Sequence, residues 1–248
     1  MDVTLPRSKS GSDKNDSLRR RLRAQPGAFS LSVRTFFTGL ILVGVAAGHT
    51  LQAQPDETKG TWRGPDLVEL TGIDSTLRLD IRYATENNFM HRPMYSRPAA
   101  YLQRPAAEAL LRADRTLNRS GYGILVFDGY RPWSVTLDFW KKTPRSKRKF
   151  VANPRTGSRH NRGCAVDCSL YDLKTGKEVE MPSPFDDFTV KAAAHYPGGT
   201  AGQRAARRAL RVALEAEGFS VNPVEWWHFD YKDWKQYRVM DIPFEQLK

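Results

Sequence analysis

Two short stretches, Ser158-Arg-His-Asn-Arg-Gly-Cys-Ala-Val-Asp167 and Glu225-Trp-Trp-His228, constrain this chain more than any other feature of it. Between them they hold two imidazoles (His160 and His228), a carboxylate (Asp167) and a second carboxylate (Glu225). Two His and one Asp form the ligand set of a catalytic zinc site, which keeps a fourth position open and places a base beside it. Each stretch alone is a weak signal. The scarcity of histidine strengthens it: the chain has five, and His49 falls in a segment read below as a targeting sequence. Two of the remaining four lie in these stretches. A fold that joins them must bring together residues more than 60 positions apart.

Local geometry sets further conditions. Gly163, between His160 and Asp167, gives the backbone the freedom to turn so that both side chains converge. Glu225 lies three residues before His228, and on a flat strand an odd offset sends two side chains to opposite faces. A bulge or the strand end must therefore reunite them. Glu225 would then stand beside a metal without ligating it, as a general base for water requires. Arg131 is a candidate cation for the oxyanion of an attacked carbonyl. It follows an apolar strand and sits between Tyr130 and Pro132 in a stiff turn, although spacing alone does not single it out from the other arginines.

The remaining pattern predicts an α+β fold. Leu77 to Tyr83 alternates apolar and polar residues as a half-buried strand does, and residues 89–104 read as a Pro-, Arg- and Tyr-rich loop. Pro105 opens a helix whose Ala106, Ala109, Leu110, Ala113 and Leu117 recur at helical spacing to about Asn118. Tyr122 to Phe127 is a buried strand, and Ser134 to Lys141 a short helix. Val166 to Leu173 is a strand, followed by a turn at 174–177 into a second strand. Residues 181–200 form a long irregular segment of the length usually reserved for function. Residues 202–217 form an amphipathic helix, with Ala206, Ala209, Leu210 and Ala213 inward, Arg204, Arg208 and Arg211 outward, and Gly218 as its stop. Glu225 to Tyr231 is a final aromatic strand. Helices and strands without regular alternation give a single domain, with a mainly antiparallel central sheet flanked by helices and the zinc site on the sheet.

Composition fits one domain, since 248 residues with 40% hydrophobic content can bury one substantial core. The net charge of +12 needs dividing. The first 53 residues carry eight basic and three acidic side chains, which leaves +7 on the rest. Residues 1–53 read as a basic n-region and signal peptide. Arg34 precedes the apolar run Phe36 to Ala47, and Leu51-Gln-Ala53 offers small-residue cleavage before Gln54. The run is shorter than the roughly 20 residues of a membrane span, so export to the periplasm or outside is expected, with a retained anchor as the alternative. Residues 54–65 read as a linker and 66–248 as the working domain. Cys164 and Cys168 lie about 13 Å apart if extended, beyond a disulfide's reach, and read as small buried packing residues.

At this point the residues resemble a known family, the zinc D-alanyl-D-alanine dipeptidases of the vancomycin-resistance and cell-wall-salvage type. The matching pieces are Arg82 to Phe89, Asp128-Gly-Tyr-Arg-Pro132, Ser158 to Asp167, Leu170 to Gly176, Met181 to Asp186 and Glu225-Trp-Trp-His228. The resemblance runs from about Leu67 to Pro243. The resemblance implies one Zn²⁺ per chain held by His160, Asp167 and His228, with Glu225 as base and Arg131 as the cation at the tetrahedral intermediate. It implies that Tyr83, Ser158 and Asp186 bind the charged ends of a small D,D-dipeptide, Asp186 suiting the free ammonium. The long N-terminal extension departs from the resistance-type members, and an exported enzyme would meet wall fragments instead. The residual basic charge is compatible with loose association with an anionic cell wall or membrane surface. Nucleic acid is not expected, because no aromatic-basic motif stands out beyond the solvated loop Arg145 to Lys149.

Two other readings use the same residues. A D,D-carboxypeptidase would act on longer peptidoglycan peptides, which a closed pocket requiring a free amine would reject. A binding module would keep the zinc without catalysis, and the presence of both Glu225 and Arg131 argues against it.

Overall fold

The computed structural model describes residues 53–73 and 77–247. The basic n-region and the apolar run expected as an export signal, with His49, lie outside the described residues. In chain order the elements are β1 (Leu67–Glu69), α1 (Leu70–Ile73), β2 (Arg78–Leu79), β3 (Tyr101–Gln103), α2 (Arg104–Asn118), β4 (Tyr122–Asp128) and α3 (Trp133–Lys142). β5 (Ala165–Asp172), α4 (Ala201–Ala216), β6 (Phe219–Asn222) and β7 (Glu225–Tyr231) follow. The fold is α+β. Its central sheet has five strands in the order β2-β4-β5-β7-β6, with β2 parallel to β4 and every other pair antiparallel. A separate antiparallel ribbon joins β1 to β3.

The two middle strands are buried on both faces, which is why they read as apolar runs rather than as alternation. α2 covers the sheet with the stripe expected of it: Ala106, Ala109, Leu110, Ala113 and Leu117 are all buried. Asp114, on the same helix, accepts the Ile124 backbone N–H at 2.7 Å and so fixes α2 against β4. α4 starts at a capping box in which Thr200 and Gln203 satisfy each other's backbone N–H groups. Its Ala206, Leu210 and Ala213 face inward. Arg207 is also buried, and donates to the carbonyls of Ala193 (3.3 Å) and Tyr196 (2.9 Å), pinning the irregular segment 181–200. Cys164 and Cys168 are free and buried, and burial pushes both thiols up, that of Cys164 to about 12, which disfavours the reactive thiolate.

The structure corrects three local expectations. The strand expected over Leu77–Tyr83 is only Arg78–Leu79, after which the chain turns through a 3-10 segment, Arg82–Ala84. That turn is what swings Tyr83 inward, off the sheet. No second strand follows the 174–177 turn; a single bridge, Tyr171 to Glu178, takes its place. Part of the 89–104 loop is β3, whose buried Tyr101, Leu102 and Gln103 carry no alternation to reveal it.

The stretch 54–65, expected to be a linker, has no helix or strand, yet it is tied to the domain. Glu57 accepts from the Arg162 guanidinium and from the Val239 backbone N–H, the latter at 2.7 Å. Gln54 donates to the Val239 carbonyl at 2.8 Å, and Arg63 N–H to Gln236 at 2.9 Å. Among the described residues, no helix is long and apolar enough to cross a membrane.

Candidate active site

Strand register builds the first part of the site. Asp167 on β5 lies directly opposite His228 on β7, and Asp128 on β4 lies opposite Asp167. A one-residue bulge at Phe127 makes the second pairing. Without it Asp128 would fall opposite Val166 and face the apolar side. β7 carries a larger irregularity: Val221 pairs with Phe229 but Asn222 with Glu225, so residues 226–228 have no partner on β6. This is the departure from a flat strand that brings Glu225 round to the side of His228. His160 comes from elsewhere, a 3-10 turn His160–Arg162 closed by Gly163 at φ 67°. A Cβ at Gly163 would also sit 2.5 Å from Leu67 Cδ2, so glycine is required twice over.

Three buried donor atoms meet at this point. His160 Nε2 and His228 Nδ1 are 3.1 Å apart, His228 Nδ1 and Asp167 Oδ1 3.0 Å, and His160 Nε2 and Asp167 Oδ1 3.2 Å. Ligands on a tetrahedral zinc, each about 2.0–2.1 Å from it, are about 3.3 Å apart, so the triangle fits a metal of that size. Among the described residues, His160, Asp167 and His228 are the metal-competent cluster. Burial opposes ionisation of Asp167, but the two imidazoles outweigh it and hold the carboxyl well below the usual range. The outer ring nitrogens are also engaged. His160 Nδ1 contacts the Gly129 carbonyl at 2.6 Å, and His228 Nε2 contacts Asp230 Oδ1 at 2.9 Å. Gly129 can approach because it lacks a Cβ, which would lie 2.6 Å from the Tyr101 carbonyl oxygen.

The cationic part is Arg131, 8% exposed. Its Nε and an Nη both donate to Asp128 Oδ2, at 2.9 and 2.7 Å, and the same Nη reaches Asp167 Oδ2 at 3.5 Å. Burial works against the guanidinium charge, but Asp128 outweighs it and keeps the group cationic. Asp128 is in turn held by the Tyr95 hydroxyl at 2.7 Å. Asn161 joins this part to the metal loop, donating to the Arg131 carbonyl at 2.8 Å.

The third part is acidic. The Tyr83 hydroxyl lies 2.9 and 3.1 Å from the two oxygens of Asp186. Burial, reinforced by Asp167, pushes the Asp186 carboxyl well above its ordinary range, so it is costly to ionise without a cation nearby. Its backbone is left-handed, φ 58°, which is uncommon for a residue other than glycine and is a form of strain found at functional positions. Glu225 is 9% exposed, and burial raises its carboxyl to about 7. Asn222 donates to Glu225 Oε2 at 2.7 Å. Ser158 is buried and its Oγ accepts the His160 N–H at 3.2 Å, closing the metal loop.

All eight residues singled out in the sequence, namely Tyr83, Arg131, Ser158, His160, Asp167, Asp186, Glu225 and His228, line one cavity of about 190 Å³. Phe139, Phe188 and Trp227 form its apolar walls. Sequence reasoning gave no role to Asp128, Asn161, Asn222 or Asp230. Asp128 had a signal: an arginine beside a buried strand needs an acid within reach, and Asp128 is three residues away. The others depend on long-range packing that spacing does not encode.

A buried His-His-Asp triad with a carboxyl and a guanidinium beside it, on the inner strands of a mixed sheet, defines a metallohydrolase-type centre. The D-ala-D-ala dipeptidase family, peptidase family M15, matches residues 63–245, and the chain belongs to that family. It is 35% identical to the D-alanyl-D-alanine dipeptidase of Enterococcus faecium over 176 residues, covering 63% of this chain and 87% of that one. With the D-alanyl-D-alanine dipeptidase of Escherichia coli K12 it shares 27% over 179 residues, 72% of this chain and 91% of that one. Among solved structures, an LD-carboxypeptidase described for its peptidoglycan recognition aligns at TM-score 0.40 and 21% identity, over 77% of this chain and 82% of that one.

Proposed function

We propose that this chain is an exported zinc-dependent dipeptidase that hydrolyses D-Ala-D-Ala in cell-wall peptide turnover. One observation carries the reading. A metal-competent triad, a carboxyl near pKa 7, a fixed guanidinium and a half-buried carboxyl pushed well above its ordinary range share one small cavity. The family relatives named above support the substrate.

His160, Asp167 and His228 would hold one zinc ion, with nitrogen and carboxylate donors of the type zinc takes. When bound, zinc supplies Lewis-acid polarisation of the scissile carbonyl and acidifies a water. The protein's own groups do the rest. Asp186 takes the free ammonium of the dipeptide and becomes ionised by it, while the Tyr83 hydroxyl steadies its oxygens. Ser158, in the cavity wall, is offered to the other charged end. Glu225 is positioned through Oε2 by Asn222 and takes a proton from the attacking water. The oxygen of that water adds to the carbonyl carbon, and the Arg131 guanidinium compensates the negative charge gathering on the carbonyl oxygen. Glu225 then returns the proton to the departing nitrogen as the C–N bond breaks. Neither Arg131 nor the base needs to move, because Asp128 and Asn222 already fix them.

The cavity is smaller than the roughly 300–1,000 Å³ of sites for drug-sized ligands, and Asp186 asks for a free amine. The zinc-loaded protein is therefore expected to turn over free D-Ala-D-Ala and to leave an N-acylated tripeptide ending in D-Ala-D-Ala intact. Turnover of the tripeptide at a comparable kcat/KM would replace this reading with a D,D-carboxypeptidase. Export rests on the Arg34-flanked apolar run and Leu51-Gln-Ala53. Fractionation with N-terminal sequencing should find a chain beginning near Gln54 outside the cytosol. An intact N-terminus in the cytosolic fraction would contradict it.

A further inference from the structure

The two histidines of the triad face it through different nitrogens, His160 through Nε2 and His228 through Nδ1. A neutral imidazole has one lone pair, and the partner of the other nitrogen decides which nitrogen carries it. For His160 the hydrogen-bonding partner is the Gly129 carbonyl at 2.6 Å, with the Asp128 carboxylate farther off at 3.9 Å. For His228 it is a carboxylate, Asp230 Oδ1, at 2.9 Å from Nε2. Residues 228 and 230 are two apart on β7, so their side chains share a face. The other Asp230 oxygen is engaged as well: Arg159 Nε lies 3.4 Å from Oδ2, and its guanidinium rests on the Trp234 ring at 4.5 Å.

We propose that Asp230, oriented by Arg159, is a positioning residue that fixes His228 with its proton on Nε2 and its lone pair on Nδ1, toward the metal. This rests on the zinc reading above. The geometry gives Asp230 two effects. It gives the tautomer with its lone pair on Nδ1 an acceptor for the Nε2 proton, offsetting the pull of Asp167 Oδ1, 3.0 Å from Nδ1, toward the alternative tautomer. It also holds the His228 ring more firmly, because a carboxylate accepts the Nε2 proton more strongly than a carbonyl does. The triad is thus asymmetric: one imidazole is set by the backbone and one by a charged side chain. Arg159 belongs to the Ser158–Asp167 stretch and Asp230 to the strand carrying Glu225 and His228, so this contact also clasps the two halves of the site.

The test is zinc affinity by chelator competition on the full chain, wild type against Asp230→Asn and Asp230→Ala. Circular dichroism and the melting temperature of each metal-free protein control for folding. Outer partners of metal-bound histidines are worth about 10–100-fold in metal affinity. Asp230→Ala should fall in that range and Asp230→Asn, which can still accept a hydrogen bond, between it and wild type. KM for D-Ala-D-Ala at saturating zinc should stay within about threefold, as a residue that touches only the metal's ligand predicts. Nitrogen-15 spectra of histidine-labelled, zinc-loaded wild type should show His228 protonated at Nε2. Folded variants that bind zinc as tightly as wild type, or a wild-type His228 protonated at Nδ1, would overturn the proposal while leaving the zinc reading in place. A wild-type chain that binds no zinc would overturn both.

Discussion

At the scale of single residues, the site is a set of groups held in states they would not adopt in water. Asp186 is the clearest case, a half-buried carboxyl pushed well above its usual range with a left-handed backbone. Asp186→Asn keeps a residue that tolerates this backbone and removes the charge. A hydrogen bond to a charged group is worth about 1.5–3 kcal/mol, so KM for D-Ala-D-Ala should rise by about 10–100-fold. The melting temperature should hold or rise, because the strain of a half-buried acid is relieved. Steady-state kinetics and thermal melts on the same variant check both. An unchanged KM would remove Asp186 from the ammonium site. With Glu225 as the proposed base, its titration sets the pH dependence. Its carboxyl stands at about 7 in the metal-free chain because burial penalises its charge. A dication in the triad favours the charged form and lowers that value, and the base acts ionised. kcat should therefore fall on the acid side, with its midpoint below 7, and this limb should vanish in Glu225→Ala. The sequence made the cluster of His160, Asp167 and His228 readable because histidine is scarce, five in the chain. It did not reveal Asn161 or Asn222, whose roles come from what they touch in the folded site.

At the scale of elements, irregularities do the positioning. Phe127 bulges from β4, residues 226–228 bulge from β7, and Gly163 turns left-handed before β5. Hydrophobic patterning foretold the strands around them well, since β4 and β5 are buried runs and α2 and α4 show helical stripes. It foretold the odd offset between Glu225 and His228 as a problem, but not which strand would yield. It failed where local pattern and tertiary placement diverge. Leu77–Tyr83 alternates like a strand, yet the chain leaves the sheet after Leu79 so that Tyr83 can reach Asp186. Gly163→Ala tests the turn. A left-handed backbone costs a residue with a Cβ about 1–2 kcal/mol, and here the new atom also collides with Leu67. Denaturant melts should show at least that loss, and chelator competition should show weaker zinc binding as His160 shifts. Wild-type stability and affinity together would mean the turn is not what places His160.

At the scale of the whole molecule, metal and fold are linked. Burial opposes a proton on His228, but Asp167 and Asp230 outweigh it and hold its pKa well above the usual range when no metal is present. A proton that His228 holds in the metal-free chain is one that zinc would have to displace. Calorimetry in buffers of different ionisation enthalpy should report proton release on zinc binding, and affinity should rise with pH until His228 is neutral in the free chain. Binding to the folded form alone also raises stability by mass action, so chelation should lower the melting temperature and added zinc restore it. The account stands most directly on one measurement, zinc content and D-Ala-D-Ala turnover on the same preparations of wild type and Glu225→Ala. The prediction is one zinc per chain in both, with kcat lower by at least about 10²–10⁴-fold in the variant. A zinc-loaded Glu225→Ala protein that turns over the dipeptide within about tenfold of wild type would contradict it.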